Sequence, residues 1–233
     1  MKILKGLLLK AKVVIHYIFS KKRGTLVYLG LHKGDSFMSI FHTYEKCYAF
    51  EADPLLFEKC RRRFKFFSRV HILNVAVADY DGEIDFNISS NSGASSSIGN
   101  FSPDWENYKS GNVKKVKTIK TLCINLLTFL HKNHIDTIED YISDIQGFDL
   151  QVLKTLKPLI DSKKINNITA EVAKNEYGNI YRDLPDNSED GFNQLLGKNY
   201  ECVSKGWGIL ENGKFDAVPD EWWEMDCKWK AKA

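Results

Sequence analysis

Apolar residues fall in short runs, most closed by a glycine or an acid, and the stretches between them have the spacing of helices. Residues Thr25-Leu-Val-Tyr-Leu-Gly-Leu31 form one such run and predict a buried strand. His32 to Ser36 reads as a turn, and Phe37 to Tyr44 as a short helix. Lys46 to Glu51 is a second apolar strand that ends on an acid. Pro54 suits the first turn of a helix capped by Asp53 and running to about Phe67, and Val70 to Val77 is a third strand. Strand, turn and helix recurring in this order predict βαβ units and a parallel sheet.

Beyond Val77 the pattern loosens. Asp81-Gly82 turns the chain into Glu83 to Ile88, which alternates like an edge or hairpin strand. Residues 89–111 are rich in Ser, Asn and Gly and contain Pro103, the composition of a long functional or disordered loop. Val113 to Thr121 alternates with lysines as a solvated strand would, and Leu122 to His131 is helical. Tyr141 to Asp144 is a buried strand, Asp149 to Leu159 a helix checked at Pro158, Asn167 to Val172 a strand and Phe192 to Leu196 a short helix. Tyr200 to Ser204 and Gly208 to Leu210 read as an antiparallel pair, with Asn212-Gly213 a strong turn signal. The sum is an α/β fold, mostly parallel with an antiparallel C-terminal edge.

Composition narrows the class. The 233 residues are 43% apolar, enough for a core without disulfides, and a net charge of +3 with interspersed signs argues against broad nucleic-acid binding. The five cysteines are odd in number and show no metal-type spacing, so they read as reduced thiols of a cytoplasmic protein. Residues 1–24 carry seven lysines and arginines and no acid, around apolar clusters such as Leu7-Leu8-Leu9 and Val13-Val14-Ile15. Lysines interrupt them short of the ~20 residues a membrane-crossing helix needs. Two readings stay open: a helix packed on the domain that spans 25–233, or a basic amphipathic helix touching an anionic membrane surface through residues 2–23.

In an open α/β sheet, ligands bind beyond the carboxyl ends of the strands, so the polar residues there are the candidates for chemistry. Gly30 and Gly34 bracket a turn that lets a ligand approach backbone, or else a plain tight turn. His32 and Lys33 lie inside it. Glu51 ends the second strand about twenty residues on, where an acid can accept both ribose hydroxyls of an adenosine; Asp53 is explained as a cap. Asp144 ends a buried strand, Gln146 and Gly147 form the following turn, and Asp149 is either a site acid or a helix cap. Glu171 is a further acid late in a strand. A buried carboxylate without a partner is costly, so Asp144 and Glu171 need a ligand, a cation or a donor between them. His131 and His134 lack an accompanying acidic ligand pattern.

Together these stretches resemble the FkbM-type methyltransferases, a branch of the class I fold that uses S-adenosylmethionine. The family's Asp-x-Gly-Ala-Asn-x-Gly corresponds to Tyr28-Leu-Gly-Leu-His-Lys-Gly34, and its Phe-Glu-Pro-x-Pro to Phe50-Glu-Ala-Asp-Pro54. Asn74 to Gly82 follows its Asn-x-Ala-Val element, Ser143 to Asp149 its Lys-Ile-Asp-x-Glu-Gly-x-Glu, and Glu171 its strand-terminal acid. The chain departs at Tyr28, where the family has an acid. It departs also at His32 for Asn, Cys123 for an acid, Ser143 for Lys and Gln146 for Glu.

The resemblance implies a Rossmann-like, seven-stranded, mostly parallel sheet with an antiparallel C-terminal hairpin. It implies S-adenosylmethionine held by Tyr28, Gly30, His32, Gly34, Asp35, Ser36, Glu51, Ala52, Asn74, Ala76 and Asp144. It further implies methyl transfer to a hydroxyl of a small-molecule or glycan acceptor, with Asp144 as base, Asp149 and Glu171 assisting, and His32 as the alternative base. A Mg²⁺ ion on Asp144 and Asp149 is a further expectation. Trp105, Tyr108 and Trp207 are candidates for stacking on a sugar. The competing readings are a non-catalytic protein that keeps the fold, and an NAD-dependent oxidoreductase, against which the missing third fingerprint glycine counts.

Overall fold

The computed structural model describes residues 14–102, 113–177, 180–208 and 215–233. Ten strands form two sheets among these residues. The first has β1 (Arg23–Leu29), β2 (Tyr44–Phe50), β3 (Val70–Leu73), β7 (Ile138–Ser143), β8 (Ile165–Ala173), β9 (Tyr200–Gly206) and β10 (Glu224–Ala231) in the order β3-β2-β1-β7-β8-β10-β9. Every pairing from β3 to β8 is parallel, and β10 runs antiparallel to both its neighbours. Strand order reverses between β1 and β7, the switch point at which such sheets open a crevice. The smaller sheet contains β4 (Ala76–Ala78), β6 (Lys115–Asn125) and β5 (Gly82–Ser89).

The continuous apolar run of β1 is explained by burial on both faces. Leu26 and Tyr28 enter one core layer with Phe37, Phe41 and Phe64; Val27 and Leu29 enter the other with Phe50, Leu150 and Ile168. Period-2 alternation assigns neighbouring residues to opposite layers. Helices α1 (Asp35–Ile40) and α2 (Pro54–Phe64) cover the first layer, with Asp53 accepting a hydrogen bond from Leu55 N as the cap of α2. Helix α3 (Leu126–Lys132), α4 (Asp149–Thr155), α5 (Lys157–Asp161) and α6 (Glu189–Leu196) bury residues in the second.

Four boundaries differ from the sequence expectation. The strand expected over Val70–Val77 breaks at Asn74, whose amide donates to the carbonyls of Glu51 (2.8 Å) and Ala52 (3.2 Å) and sends Ala76–Ala78 into the second sheet. Helix α3 starts at Leu126, not Leu122, because residues 122–125 extend β6 and Asn125 caps the helix through Thr128 N. The helix from Asp149 divides at Leu156, and Pro158 falls in the first turn of α5, where its missing N–H costs nothing. The C-terminal antiparallel pair is present, and the partner of β9 is Glu224–Ala231, a strand that the sequence reading did not expect. That segment alternates and buries Cys227 and Trp229. Residues 209–214, with the expected Asn212-Gly213 turn, lie outside the described residues.

Residues 89–102 are not an open loop. Asn87 and Ser97 exchange backbone hydrogen bonds of 2.8 and 3.1 Å, Ser97 donates to Gln146 O at 2.7 Å, and Ser89, Ser96 and Ser97 are buried. This segment folds back over the crevice. Trp105 and Tyr108 lie outside the described residues.

Candidate functional site

Two turns build the crevice. In the first, Gly30 has φ +76°, and a Cβ there would lie 1.8 Å from the carbonyl oxygen of Asp144, so only glycine lets the ends of β1 and β7 lie this close. The N–H groups of Gly30 and Leu31 both donate to Phe50 O, which brings the end of β2 alongside. Glu51 then projects under the turn: its Oε2 accepts from His32 N at 2.6 Å and its Oε1 from Asp53 N at 2.8 Å. Burial pushes its carboxyl up to about 7, against the pull of those two backbone donors. Each oxygen keeps a lone pair for a further donor.

The second turn spans residues 143–149. Asp149 is fully buried, and its carboxylate accepts from Ser143 Oγ, from Ile145 N at 3.0 Å and from Gly147 N at 3.3 Å. This acid closes the turn, and burial raises its pKa to about 7. Gln146 stands above it at φ +60°. Its Nε2 donates to Asp144 Oδ1 at 2.7 Å and to Glu171 Oε2 at 2.5 Å, and its Oε1 accepts from Tyr181 OH at 2.7 Å. One amide therefore supplies the donor that the two carboxylates require. A glutamate here would add a third charge instead of two N–H groups.

A cavity of about 150 Å³ lies beyond these strand ends, lined by Gly30, His32, Glu51, Ala52, Ala76 and Asp144 with the apolar Val75, Val77, Phe86, Ile98 and Phe148. A second, of about 600 Å³, opens on the side of β8 and β10 and is lined by Tyr28, Ser36, Asp144, Glu171, Trp207, Trp222, Glu224 and Asp226, among others. Ala94, Asp144 and Gln146 line both, so the two spaces meet at the end of β7.

Of the residues expected at the site, Gly30, His32, Glu51, Ala52, Ala76 and Asp144 come together on the first cavity. Tyr28, Ser36 and Glu171 face the second. His32 Nε2 lies 3.2 Å from Ser92 O, on the first-cavity side. Four residues are not brought to either. Gly34, at φ +72°, starts α1 against Phe64, and the exposed Asp35 pairs with Arg63 at 2.6 Å. Asn74 serves the end of β2, and Asp149 serves its own turn. The donor set does not fit the expected Mg²⁺: Asp149 is taken up by the Ser143 hydroxyl and two backbone N–H groups, and the Gln146 amide donates to both Asp144 and Glu171. Among the described residues no group of three or more His, Cys, Asp or Glu is arranged to hold a metal ion.

Sequence reasoning missed Trp222, Glu224 and Asp226, and Gln146 as a bridging donor. The available signal was the alternation Glu224-Met-Asp226-Cys, which puts two acids on one face of a strand.

A switch-point crevice with an apolar slot beside a strand-terminal acid suits a flat heterocycle joined to a vicinal diol, the parts of a nucleoside cofactor. The chain matches the methyltransferase FkbM domain over residues 29–195 and belongs to that family. Its chemistry is thus methyl transfer from S-adenosylmethionine, and a strand-terminal acid beside an apolar slot is the chemistry that the ribose and adenine of that cofactor require. No curated protein matches significantly. Solved structures with a similar course include the N-methyltransferase NodS from Bradyrhizobium japonicum WM9, at 7% identity, 96% and 94% coverage of this chain and that one, and a TM-score of 0.45. An rRNA methylase from Streptococcus thermophilus is similar at 8% identity, 96% and 95% coverage and a TM-score of 0.46. Among the described residues no helix is long and apolar enough to cross a membrane.

Proposed function

We propose that this chain is an O-methyltransferase acting on a hydroxyl of a sugar or glycan. The observation that carries the reading is Asp144, among the described residues the one carboxylate that lines both cavities, at the point where donor and acceptor spaces meet. In this reading Glu51 holds the ribose hydroxyls, the slot between Ala76, Phe86 and Phe148 takes the adenine, and the acceptor enters from the second cavity. Bound S-adenosylmethionine supplies an electrophilic methyl group. Asp144 accepts the hydroxyl proton as the oxygen attacks, and Gln146 holds that carboxylate in place. Burial raises the Asp144 pKa, and the Gln146 hydrogen bond opposes the rise. The raised value makes the carboxylate a stronger base than a solvated one.

Calorimetry with S-adenosylmethionine, S-adenosylhomocysteine and NAD tests the cofactor, and binding of NAD alone would sink the reading. Radiolabelled methyl transfer to a panel of glycans tests the reaction. Asp144→Asn should abolish turnover with cofactor affinity nearly intact; undiminished turnover removes Asp144 from the catalytic role.

A second element of the proposal concerns the N-terminal segment. Tyr17 packs on Phe41 and Phe67, and Arg69 lies 3.8 Å over its ring. Val14, Ile15, Ile18 and Phe19 on the same helical stretch are exposed. Exposed apolar residues beside Lys21 and Lys22 suit an anionic membrane surface. Co-sedimentation with anionic but not neutral liposomes, lost on removal of residues 1–23, is the expected result.

A further inference from the structure

The second cavity carries more acid than methyl transfer to a neutral sugar needs. Four of the described residues lining it are acidic, Asp144, Glu171, Glu224 and Asp226, and none is basic. Two of these face each other across the sheet: Asp226 is the register partner of Glu171 in the β10–β8 ladder. Like charges directly opposite on adjacent strands destabilise a sheet. Gln146 serves Asp144 and Glu171, and Gly208 N donates to Asp226 at 2.8 Å. Glu224 is left over. Its Oε1 is buried and makes no hydrogen bond, a costly arrangement for a carboxylate unless a ligand supplies the donor.

The aromatic side of the cavity points the same way. Trp207 and Trp222 meet edge to face at 5.4 Å, Trp223 stacks on Tyr177 at 5.7 Å, and all three indoles line the same space as the carboxylates. Carboxylates and indole rings around one cavity are the recognition chemistry of an organic ammonium, through charge-assisted hydrogen bonds and cation–π attraction. A concave space of about 600 Å³ suits a small molecule.

We propose that the second cavity is an ammonium-binding acceptor site, and that the acceptor is an amino sugar whose protonated amine sits among Glu171, Glu224 and Asp226. This rests on the methyl-transfer reading above and narrows its substrate class. A protonated amine has no lone pair, so it recognises and orients; the methyl group goes to a hydroxyl placed at Asp144.

The test is calorimetric binding of methyl α-D-glucosaminide and of its N-acetyl derivative to the full chain, with and without saturating S-adenosylhomocysteine. The two probes share a skeleton and differ in the charge on nitrogen and in the added acetyl group, and the substitutions at the acids separate charge from bulk. The amine should bind at least ~10-fold more tightly than the amide, and Glu224→Gln and Asp226→Asn should each remove most of that preference. Both variants take a charge out of a crowded cluster, so neither should lower the melting temperature. Equal binding of the two probes, binding of neither, or a preference that survives both substitutions overturns the proposal. Failure of S-adenosylhomocysteine to bind would overturn the methyl-transfer reading instead, and the probe preference is still measured without it.

Discussion

Replacing Gln146 by Glu restores the residue usual in the family and tests the bridge directly. The Gln146 amide nitrogen lies 2.7 Å from Asp144 Oδ1 and 2.5 Å from Glu171 Oε2, and its oxygen is oriented by Tyr181 OH. An ionised carboxylate at those separations would be repelled by about 6 kcal/mol from whichever neighbour is itself ionised, at an effective dielectric of ~20. The new group avoids this by taking up a proton, at a cost of about 1.4 kcal/mol for each pH unit between its ordinary pKa of about 4.3 and the solution pH. Protonated, it donates one hydrogen bond where the amide donated two, leaving one carboxylate short at roughly 1–3 kcal/mol. The sign follows from linkage: a carboxyl whose folded pKa lies above its unfolded value binds more protons when folded, so stability falls as pH rises through that interval. Gln146→Glu should therefore lose roughly 5–7 kcal/mol near neutral pH, with a melting temperature lower by about 10–25 °C. The deficit should widen between pH about 5 and about 8. Thermal unfolding followed by circular dichroism across that range reads both effects. A variant as stable as the parent, or a deficit that does not vary with pH, would refute the assignment of Gln146 as the shared donor.

Other expectations are more compact. Gly30→Ala should abolish S-adenosylhomocysteine binding by calorimetry, since its Cβ would fall 1.8 Å from Asp144 O and must separate β1 from β7 at the switch point. Asp149→Ala strands three donors in the interior and should cost about 3–5 kcal/mol in urea unfolding. Glu51→Gln should weaken cofactor affinity by roughly 10-fold or more. Because burial raises the Glu51 pKa to about 7, affinity of the parent should fall as pH drops through that value, and this pH dependence should vanish in the variant.

The crossover part of the fold was open to sequence reasoning because its determinants are local. Burial on both faces makes β1, β2, β7 and β8 continuous apolar runs. Pro54 after Asp53 marks the start of α2, and two of the site's decisive residues, Gly30 and Glu51, sit where such runs stop. Boundaries failed where one distant contact decided them. Nothing near Asn74 in the chain announces that its amide will tie off the end of β2 and break the strand there.

The site divides in the same way. A switch-point crevice, its glycine turn, the acid at the end of β2 and the carboxylate at the end of β7 were legible along the chain, because strand ends in a parallel sheet converge whatever surrounds them. Which acids act together emerged with the folded chain. Asp149, five residues from Asp144, turns inward to backbone donors, whereas Glu171, Glu224 and Asp226 reach the crevice from positions 27 to 82 residues further along the chain. The environment of a carboxylate depends on burial and on which donors pack against it. Those are set by pairings between distant strands, and no spacing along the chain encodes them.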